Sequence, residues 1–196
     1  MSVYCAPVTV MFDSETLLVI FEPFERFSPN EFRIKLAASR WEREGAYALR
    51  RQVFCEEQGL FEDDRDAVDD YAITLVALSM LGVAADQVVG TVRIHEDEPR
   101  LWRGSRLAVA REYRRIGAIG ATLIRLAVSS AHAMGCRTFL AHVQAQNAAL
   151  FQQMHWEPLD EVELHGWPHV KMRADLDFYP PCHAPEVGYV ALRKAA

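Results

Sequence analysis

The feature that most constrains this chain is the stretch 105–128, which has the sequence SRLAVAREYRRIGAIGATLIRLAV. The apolar residues at 107–109 predict the end of a buried strand, and the pattern over 119–134 predicts a helix that ends at Gly135. Between them lies a turn that is rich in arginine and glycine. This order of strand, turn and helix predicts a parallel crossover connection within a mixed α/β sheet.

The turn has the chemistry of an anion site. Arg114 and Arg115 supply positive charges, and Gly117 and Gly120 let a ligand approach the backbone. The first turn of the helix also has unpaired N–H groups and a partial positive charge. We therefore expect a bound phosphate or pyrophosphate here. The spacing is not a Walker motif, because no Gly-Lys-Ser/Thr follows, and it is not G-x-G-x-x-G.

Composition limits the class of protein. With 196 residues, the chain is expected to form one main domain, and its net charge of −6 disfavours nucleic acid as a partner. No apolar run approaches the length of a membrane span, and the N-terminus lacks the basic region of a secretion signal. The four cysteines are scattered, which predicts reduced thiols in a cytoplasmic protein. A metal site is not expected, because the sequence has no cluster of cysteine and histidine residues.

Charge is concentrated in two windows. The basic window predicts a small polyanionic ligand, and the acidic window suggests a second, cationic ligand such as an amine, although each is also compatible with a solvated loop. The basic residues are Arg100, Arg103, Arg106, Arg111, Arg114 and Arg115, and the acidic residues are Glu56, Glu57, Glu62, Asp63, Asp64, Asp66, Asp69 and Asp70.

Turn-forming residues divide the chain into an N-terminal extension at 1–30, a main domain at 31–175 and a C-terminal tail at 176–196 packed on that domain. The extension contains two short β-like runs, 8–12 and 17–21. The main domain is predicted as strand, helix, three strands, helix, strand, helix and two strands, at 32–36, 41–58, 72–78, 88–95, 101–109, 119–134, 138–143, 146–154, 162–164 and 169–172. The tail ends in a short strand at 188–192.

Three stretches resemble the GNAT superfamily of acyl-CoA-dependent N-acetyltransferases. The run from Arg114 to Gly117 resembles the first half of its Arg/Gln-x-x-Gly-x-Gly/Ala loop, but two residues instead of one precede Gly120. LRRQVFCEEQG at 49–59 resembles the first helix of one branch, and GWPHVKM at 166–172 matches that branch's G-x-P-H-x-x-M pattern. The branch is bacterial and is associated with nitrogen metabolism operons.

The resemblance implies a mostly antiparallel sheet with one parallel βαβ crossover at the coenzyme A loop. It also implies transfer of an acetyl or short acyl group to a small amine, with acetyl-CoA as the co-substrate. The resemblance is compatible with a homodimer but does not require one. The implied coenzyme A contacts are Leu107, Ala108 and Val109 at the thioester, Arg114, Arg115, Gly117, Ala118, Ile119, Gly120 and Ala121 at the pyrophosphate, and Asn147, with Gln144 as a weaker case, at the pantetheine arm.

The catalytic groups are less defined. Glu57, His142 and His169 are the candidates for the base that takes a proton from the amine. Phe151 stands where the resemblance expects a tyrosine acid, and phenylalanine cannot donate a proton. Coenzyme A then leaves as a thiolate, another donor serves, or the protein is a non-catalytic acyl-CoA sensor or partner subunit. A relative of acyl-homoserine-lactone synthases, with long acyl chains, is a further alternative.

Overall fold

The computed structural model describes residues 28–193. The β-like runs predicted at 8–12 and 17–21 lie outside these residues. The eight strands are β1 (Glu31–Leu36), β2 (Ile73–Leu81), β3 (Ala84–Glu98), β4 (Leu101–Val109), β5 (Thr138–Gln144), β6 (Trp156–Leu164), β7 (Trp167–Ala174) and β8 (Tyr189–Leu192). The α-helices are α1 (Arg40–Arg50), α2 (Gly117–Ala133) and α3 (Ala148–Gln153).

All eight strands form one sheet in the order β6-β7-β5-β4-β3-β2-β1-β8. Strands β4 and β5 are parallel, and every other neighbouring pair among the described strands is antiparallel. The prediction of a mixed α/β sheet with one parallel crossover is therefore confirmed. The chain after Ala174 also joins this sheet, because β8 pairs with β1.

The parallel pair is short, and this opens the sheet. Strands β4 and β5 are in register only from Leu101 opposite Thr138 to Gly104 opposite Ala141. Beyond Gly104, β4 continues to Val109 beside β3 alone, after a shift of register. Arg106 lies in this shift with a φ of 54°, which is typical of a β-bulge that bends a strand. Strands β4 and β5 consequently diverge beyond Gly104.

Helix α2 covers one face of the sheet and forms the main core. Ile119, Leu123 and Leu126 are fully buried, and burial of such side chains stabilises by about 1.5–3 kcal/mol each. The helix lies close to β3 at Gly90, where an added Cβ would stand 2.9 Å from Leu123 Cδ1. As predicted, the helix ends before Gly135, which has a φ of +89°.

Helix α1 packs on the opposite face. Ser39 and Glu42 form a capping box at its start. The helix predicted over 41–58 differs in form, because it changes after Arg50 into wider π-helical turns over Arg51–Glu57. Gly59, with a φ of +62°, follows these turns. No helix within residues 28–193 combines the length and the apolar character needed to cross a bilayer.

Strands β6 and β7 are longer than the predicted 162–164 and 169–172. Most residues of β6 are exposed, so its sequence lacks the apolar alternation that identifies a half-buried strand. The acidic residues along β6 suit an edge strand, because charge discourages pairing with other chains.

Candidate active site

A cavity of ≈ 610 Å³ occupies the space where β4 and β5 diverge. Its walls come from β4, β5, the start of α2, the π-helical turns after α1, and the β6–β7 turn. Because β5 leaves β4 after Gly104, one edge of β4 has no strand partner beyond that point. The predicted thioester contacts Leu107, Ala108 and Val109 all line this cavity.

The N-terminus of α2 opens into the same cavity. Ile116 is the N-cap residue of α2 and forms no side-chain cap hydrogen bond, and the walls include Gly117 and Gly120. An added Cβ on either glycine would meet nothing within 4 Å, so a ligand can approach the backbone there. Uncapped N–H groups with the positive end of the helix dipole form an anion site.

The other residues predicted for the pyrophosphate are placed differently. Arg115, Ala118 and Ala121 do not line the cavity, although each is adjacent in sequence to a residue that does. Ile119 is fully buried in the core, and its N–H donates to the carbonyl of Ile116 at 3.0 Å. Its position on the sheet-facing side of α2 therefore gives it a packing role.

Arg114 is held by two groups of the protein. Its Nε donates to the carbonyl of Val109 at 2.9 Å, and its Nη2 donates to Glu57 Oε2 at 2.6 Å. Glu57 is outside the cavity wall, so the structure separates it from the other candidate bases. Arg114 lines the cavity and remains partly exposed.

The predicted histidines share one side of the cavity. His169 is buried, and its Nδ1 is 2.9 Å from the carbonyl of Trp167. A carbonyl can only accept, so Nδ1 carries a proton and Nε2 of the neutral ring keeps a lone pair. His142 is more exposed than His169. Partial burial of its ring lowers its pKa, and the charges of Arg103 and Lys171 lower that pKa further. Asn147 and Gln144 also line the cavity.

The family model of the Acetyltransferase (GNAT) family matches residues 38–156, which is more than half of the chain. The chain belongs to the GNAT family.

Solved structures agree with this GNAT fold. A candidate N-acetyltransferase from Lactobacillus plantarum is 25% identical, with a TM-score of 0.65 over 73% of this chain and 97% of that chain. Escherichia coli ElaA is 20% identical, with a TM-score of 0.61 over 74% and 98% of the two chains. FeeM, an N-acyl amino acid synthase from uncultured soil microbes, is 13% identical, with a TM-score of 0.58 over 78% and 95%, and shows the fold alone. No curated protein matches the sequence.

An apolar side chain occupies the position where the GNAT resemblance predicts a tyrosine as the general acid. Phe151 on α3 is buried and lines the cavity, and its ring packs edge-on against Trp156 with centroids 5.0 Å apart. No hydroxyl group replaces the missing tyrosine at this position. Trp156 is a cavity residue that the sequence did not indicate, because its role depends on packing between α3 and β6.

Three aspartates of the acidic window have a structural role in place of the predicted attraction of a cationic ligand. Asp64, Asp66 and Asp69 bind three arginines that point toward them from α1, β3 and the bulge of β4, namely Arg50, Arg93 and Arg106. Arg50 is only 1% exposed. Three carboxylates facing three guanidinium groups leave no net charge, so these aspartates do not attract a cationic amine. Arg106 of the basic window is likewise committed to this network.

The network lowers the pKa of two of its carboxylates, those of Asp66 and Asp69. Burial alone raises the pKa of Asp69, but hydrogen bonds from Arg50 and Arg93 outweigh it and hold that pKa well below its usual range. A hydrogen bond from Arg93 also lowers the pKa of Asp66. These aspartates are therefore charged at neutral pH, as the buried arginines require.

Two further cavity residues were not among the predicted site residues, although Arg103 belongs to the basic window. Arg103 on β4 and His95 on β3 face each other across the two strands and line the cavity at the start of the divergence. His95 is 7% exposed, and burial together with Arg93 and Arg103 lowers its pKa. The alternation of β3 placed it on the face away from α2, but the sequence did not show which face carries the site.

Proposed function

We propose that this protein is an acyl-CoA-dependent N-acyltransferase that moves an acetyl or short acyl group to a primary amine. The observation that supports this best is a spatial one. The uncapped start of α2 and the unpaired edge of β4 border one cavity. The first can hold a pyrophosphate, and the second can hold the thioester of the same extended molecule.

The α2 turn is proposed to bind the pyrophosphate of coenzyme A through its backbone. The amides at the start of α2 supply neutral donors, and Arg114 and Arg115 add charge nearby. The pantetheine arm would then run along the open edge of β4, with Asn147 on the other side of the cavity. This orientation brings the thioester to residues 107–109.

Acyl transfer needs a donor where negative charge develops on the thioester oxygen. The unpaired edge of β4 offers backbone N–H groups for this purpose, and one such donor contributes about 2.7–4 kcal/mol in comparable sites. The amine must also be neutral before it attacks. A lysine-like amine has a pKa of about 10.4, so a base near the cavity is required at neutral pH.

His169 is the proposed base. The Trp167 carbonyl fixes its ring so that Nε2 is the atom with a lone pair, which is the orientation that proton acceptance requires. Glu57 is bound to Arg114 outside the cavity wall, and His142 has no such orienting partner among the described residues. With phenylalanine at position 151, coenzyme A is proposed to leave as a thiolate, which a thiol pKa of about 8.5 permits.

Calorimetry with acetyl-CoA and coenzyme A, followed by thiol release with a panel of amines, tests the proposal. We expect micromolar binding and turnover with acetyl-CoA, and a loss of about 10²-fold or more in kcat/KM for His169→Gln. Absence of binding overturns the whole assignment.

Other outcomes separate the alternatives. Binding without turnover across the panel identifies an acyl-CoA sensor, and a strong preference for long acyl chains identifies a relative of acyl-homoserine-lactone synthases. Assignment to the branch associated with nitrogen metabolism operons, a cytoplasmic location and a homodimer stay predictions from the sequence.

A further inference from the structure

The cavity wall contains no acidic side chain among the described residues. Its charged and titratable side chains are Arg93, Arg103, Arg106, Arg114, His95, His142, His165 and His169. Arg93 and Arg106 are neutralised by the aspartate network, and Arg114 is bound to Glu57. The wall therefore offers no counter-ion to a second ammonium group, so a polyamine is a poor fit as the acceptor.

Arg103 differs from the other arginines of the wall. Its Nε donates to Asp97 Oδ2 at 2.6 Å, but neither Nη atom has a hydrogen-bond partner among residues 28–193. Its side chain is 32% exposed. The paired donors of a guanidinium group suit a carboxylate, because both oxygens are bound in one plane.

Positive and polar groups surround Arg103 on the face of the sheet away from α2. Arg103 is aligned with Leu140 on β5, and His142 follows on the same face of that strand. Lys171 on β7 is directly opposite His142. Burial lowers the pKa of His142, and the charges of Arg103 and Lys171 lower it further, so the formal positive charges of this group are those of Arg103 and Lys171.

Negative charge near this group is limited. Asp97 is partly exposed and binds Arg103 through a single nitrogen. Asp160 is opposite Lys171 on β6 but forms no salt bridge with it. His95, opposite Arg103 on β3, adds a ring whose Nδ1 has no hydrogen-bond partner in the described chain.

We propose that Arg103, with His142 and Lys171 beside it, binds a carboxylate of the acceptor, so that the acceptor is an amino acid rather than a simple amine or a polyamine. This inference rests on the proposed acyltransferase function and specifies its substrate class. The carboxylate site lies at the closed end of the divergence, and the thioester site at residues 107–109 lies further along β4. A single acceptor then spans from the cationic group to the acyl carbon.

The test uses acceptors that differ only in a carboxylate: alanine against ethylamine, phenylalanine against phenethylamine, and 4-aminobutyrate against propylamine. We expect the wild-type protein to favour at least one carboxylated member by about tenfold or more in kcat/KM, as a hydrogen bond to a charged group warrants. Arg103→Gln should reduce that ratio within the variant to near one. Arg173→Gln, on exposed β7 and bound to Glu157 outside the cavity, is the matched control and should retain it.

A binding measurement separates this inference from the proposed function. Calorimetry with N-acetylphenylalanine and N-acetylphenethylamine, at saturating coenzyme A, reports recognition of the carboxylate without turnover. Selective binding of the acid by wild-type protein and its loss in Arg103→Gln supports the inference even where turnover is absent. The carboxylate site is overturned if Arg103→Gln and wild type have equal ratios of kcat/KM for carboxylated and decarboxylated acceptors, or if the decarboxylated amines are preferred. The enzyme assignment stands in that case, provided that acetyl-CoA still binds.

Discussion

Glu57 accepts a hydrogen bond from Arg114, with 2.6 Å between Oε2 and Nη2. This contact joins the π-helical turns after α1 to the turn before α2, two segments that are 57 residues apart in sequence. It also places a negative charge beside an arginine of the proposed pyrophosphate site. A polyanion bound there would therefore compete with Glu57 for Arg114.

Replacement of Glu57 tests this exchange. We expect Glu57→Gln to bind coenzyme A about twofold to fivefold more tightly, because a partly exposed ion pair of about 0.2–1 kcal/mol no longer competes for Arg114. Calorimetry measures the change. Glu56→Gln, one residue earlier and exposed, is the control and should bind like wild type. A fall of about 10²-fold in kcat/KM for Glu57→Gln would instead identify Glu57 as the base.

Gly120 and Gly90 provide opposite tests of α2. Gly120→Ala adds a methyl group in open space on a helix, so we expect stability to rise by about 0.5–1 kcal/mol. Coenzyme A affinity should fall by about tenfold or more, because the methyl group displaces hydrogen bonds to a charged ligand. Chemical denaturation and calorimetry measure the two effects.

The matched change at Gly90 acts in the reverse direction. Gly90→Ala forces a contact of 2.9 Å with Leu123, which we expect to destabilise the fold by about 1–3 kcal/mol. Affinity for coenzyme A, measured well below the unfolding transition, should remain close to that of wild type. Unchanged affinity in Gly120→Ala would argue against a backbone site for the pyrophosphate.

Arg50 is expected to be essential for stability. Arg50→Met leaves the buried carboxylates of Asp64 and Asp69 short of a partner, at a cost of about 3–5 kcal/mol. Urea denaturation measures the loss. Arg51→Met is the control, since that side chain is 75% exposed and should change stability by less than about 0.5 kcal/mol. Similar midpoints for the two variants would show that the buried network contributes little.

The same network predicts a dependence of stability on pH. The pKa values of Asp66 and Asp69 are lower in the folded protein than the value of about 3.9 expected in the unfolded chain. Their contribution is therefore present above about pH 4 and is lost as the pH falls toward the folded values. Asp69→Asn should be less stable at neutral pH and lose less stability on acidification, as measured by denaturation between about pH 6 and pH 2. A slope equal to that of wild type would contradict the assignment.

Phe151 tests the departure of the thiolate. Phe151→Tyr introduces a phenolic donor into the cavity wall, and we expect kcat to rise where protonation of the leaving group limits turnover, by no more than about 10²-fold. Steady-state thiol release measures the effect. Phe151→Leu removes the ring without adding a donor and serves as the control. A tyrosine variant that is no faster than wild type indicates that coenzyme A departs unprotonated.

Local patterns determined most of the sheet and predict the position of the proposed anion site. Apolar runs, alternation and β-branched residues identified β1 to β5, and the Arg/Gly turn before a helix located the α2 N-terminus. Hydrophobic pattern and backbone freedom are properties of neighbouring residues. Strand β6 was largely missed because it is an exposed, acidic edge strand. The buried role of Arg50 was also missed, because its partners lie 14 and 19 residues away.

The sequence by itself determined the fold class and the crossover, and it predicts the residues that would hold a polyanion. Only the tertiary structure decided that three aspartates of the acidic window pair with buried arginines, that Glu57 binds Arg114, and that neither Nη atom of Arg103 has a partner within residues 28–193. The physical reason is that a charge acts on whatever is close in space. Partners drawn from α1, β3 and β4 become neighbours only after the sheet has formed.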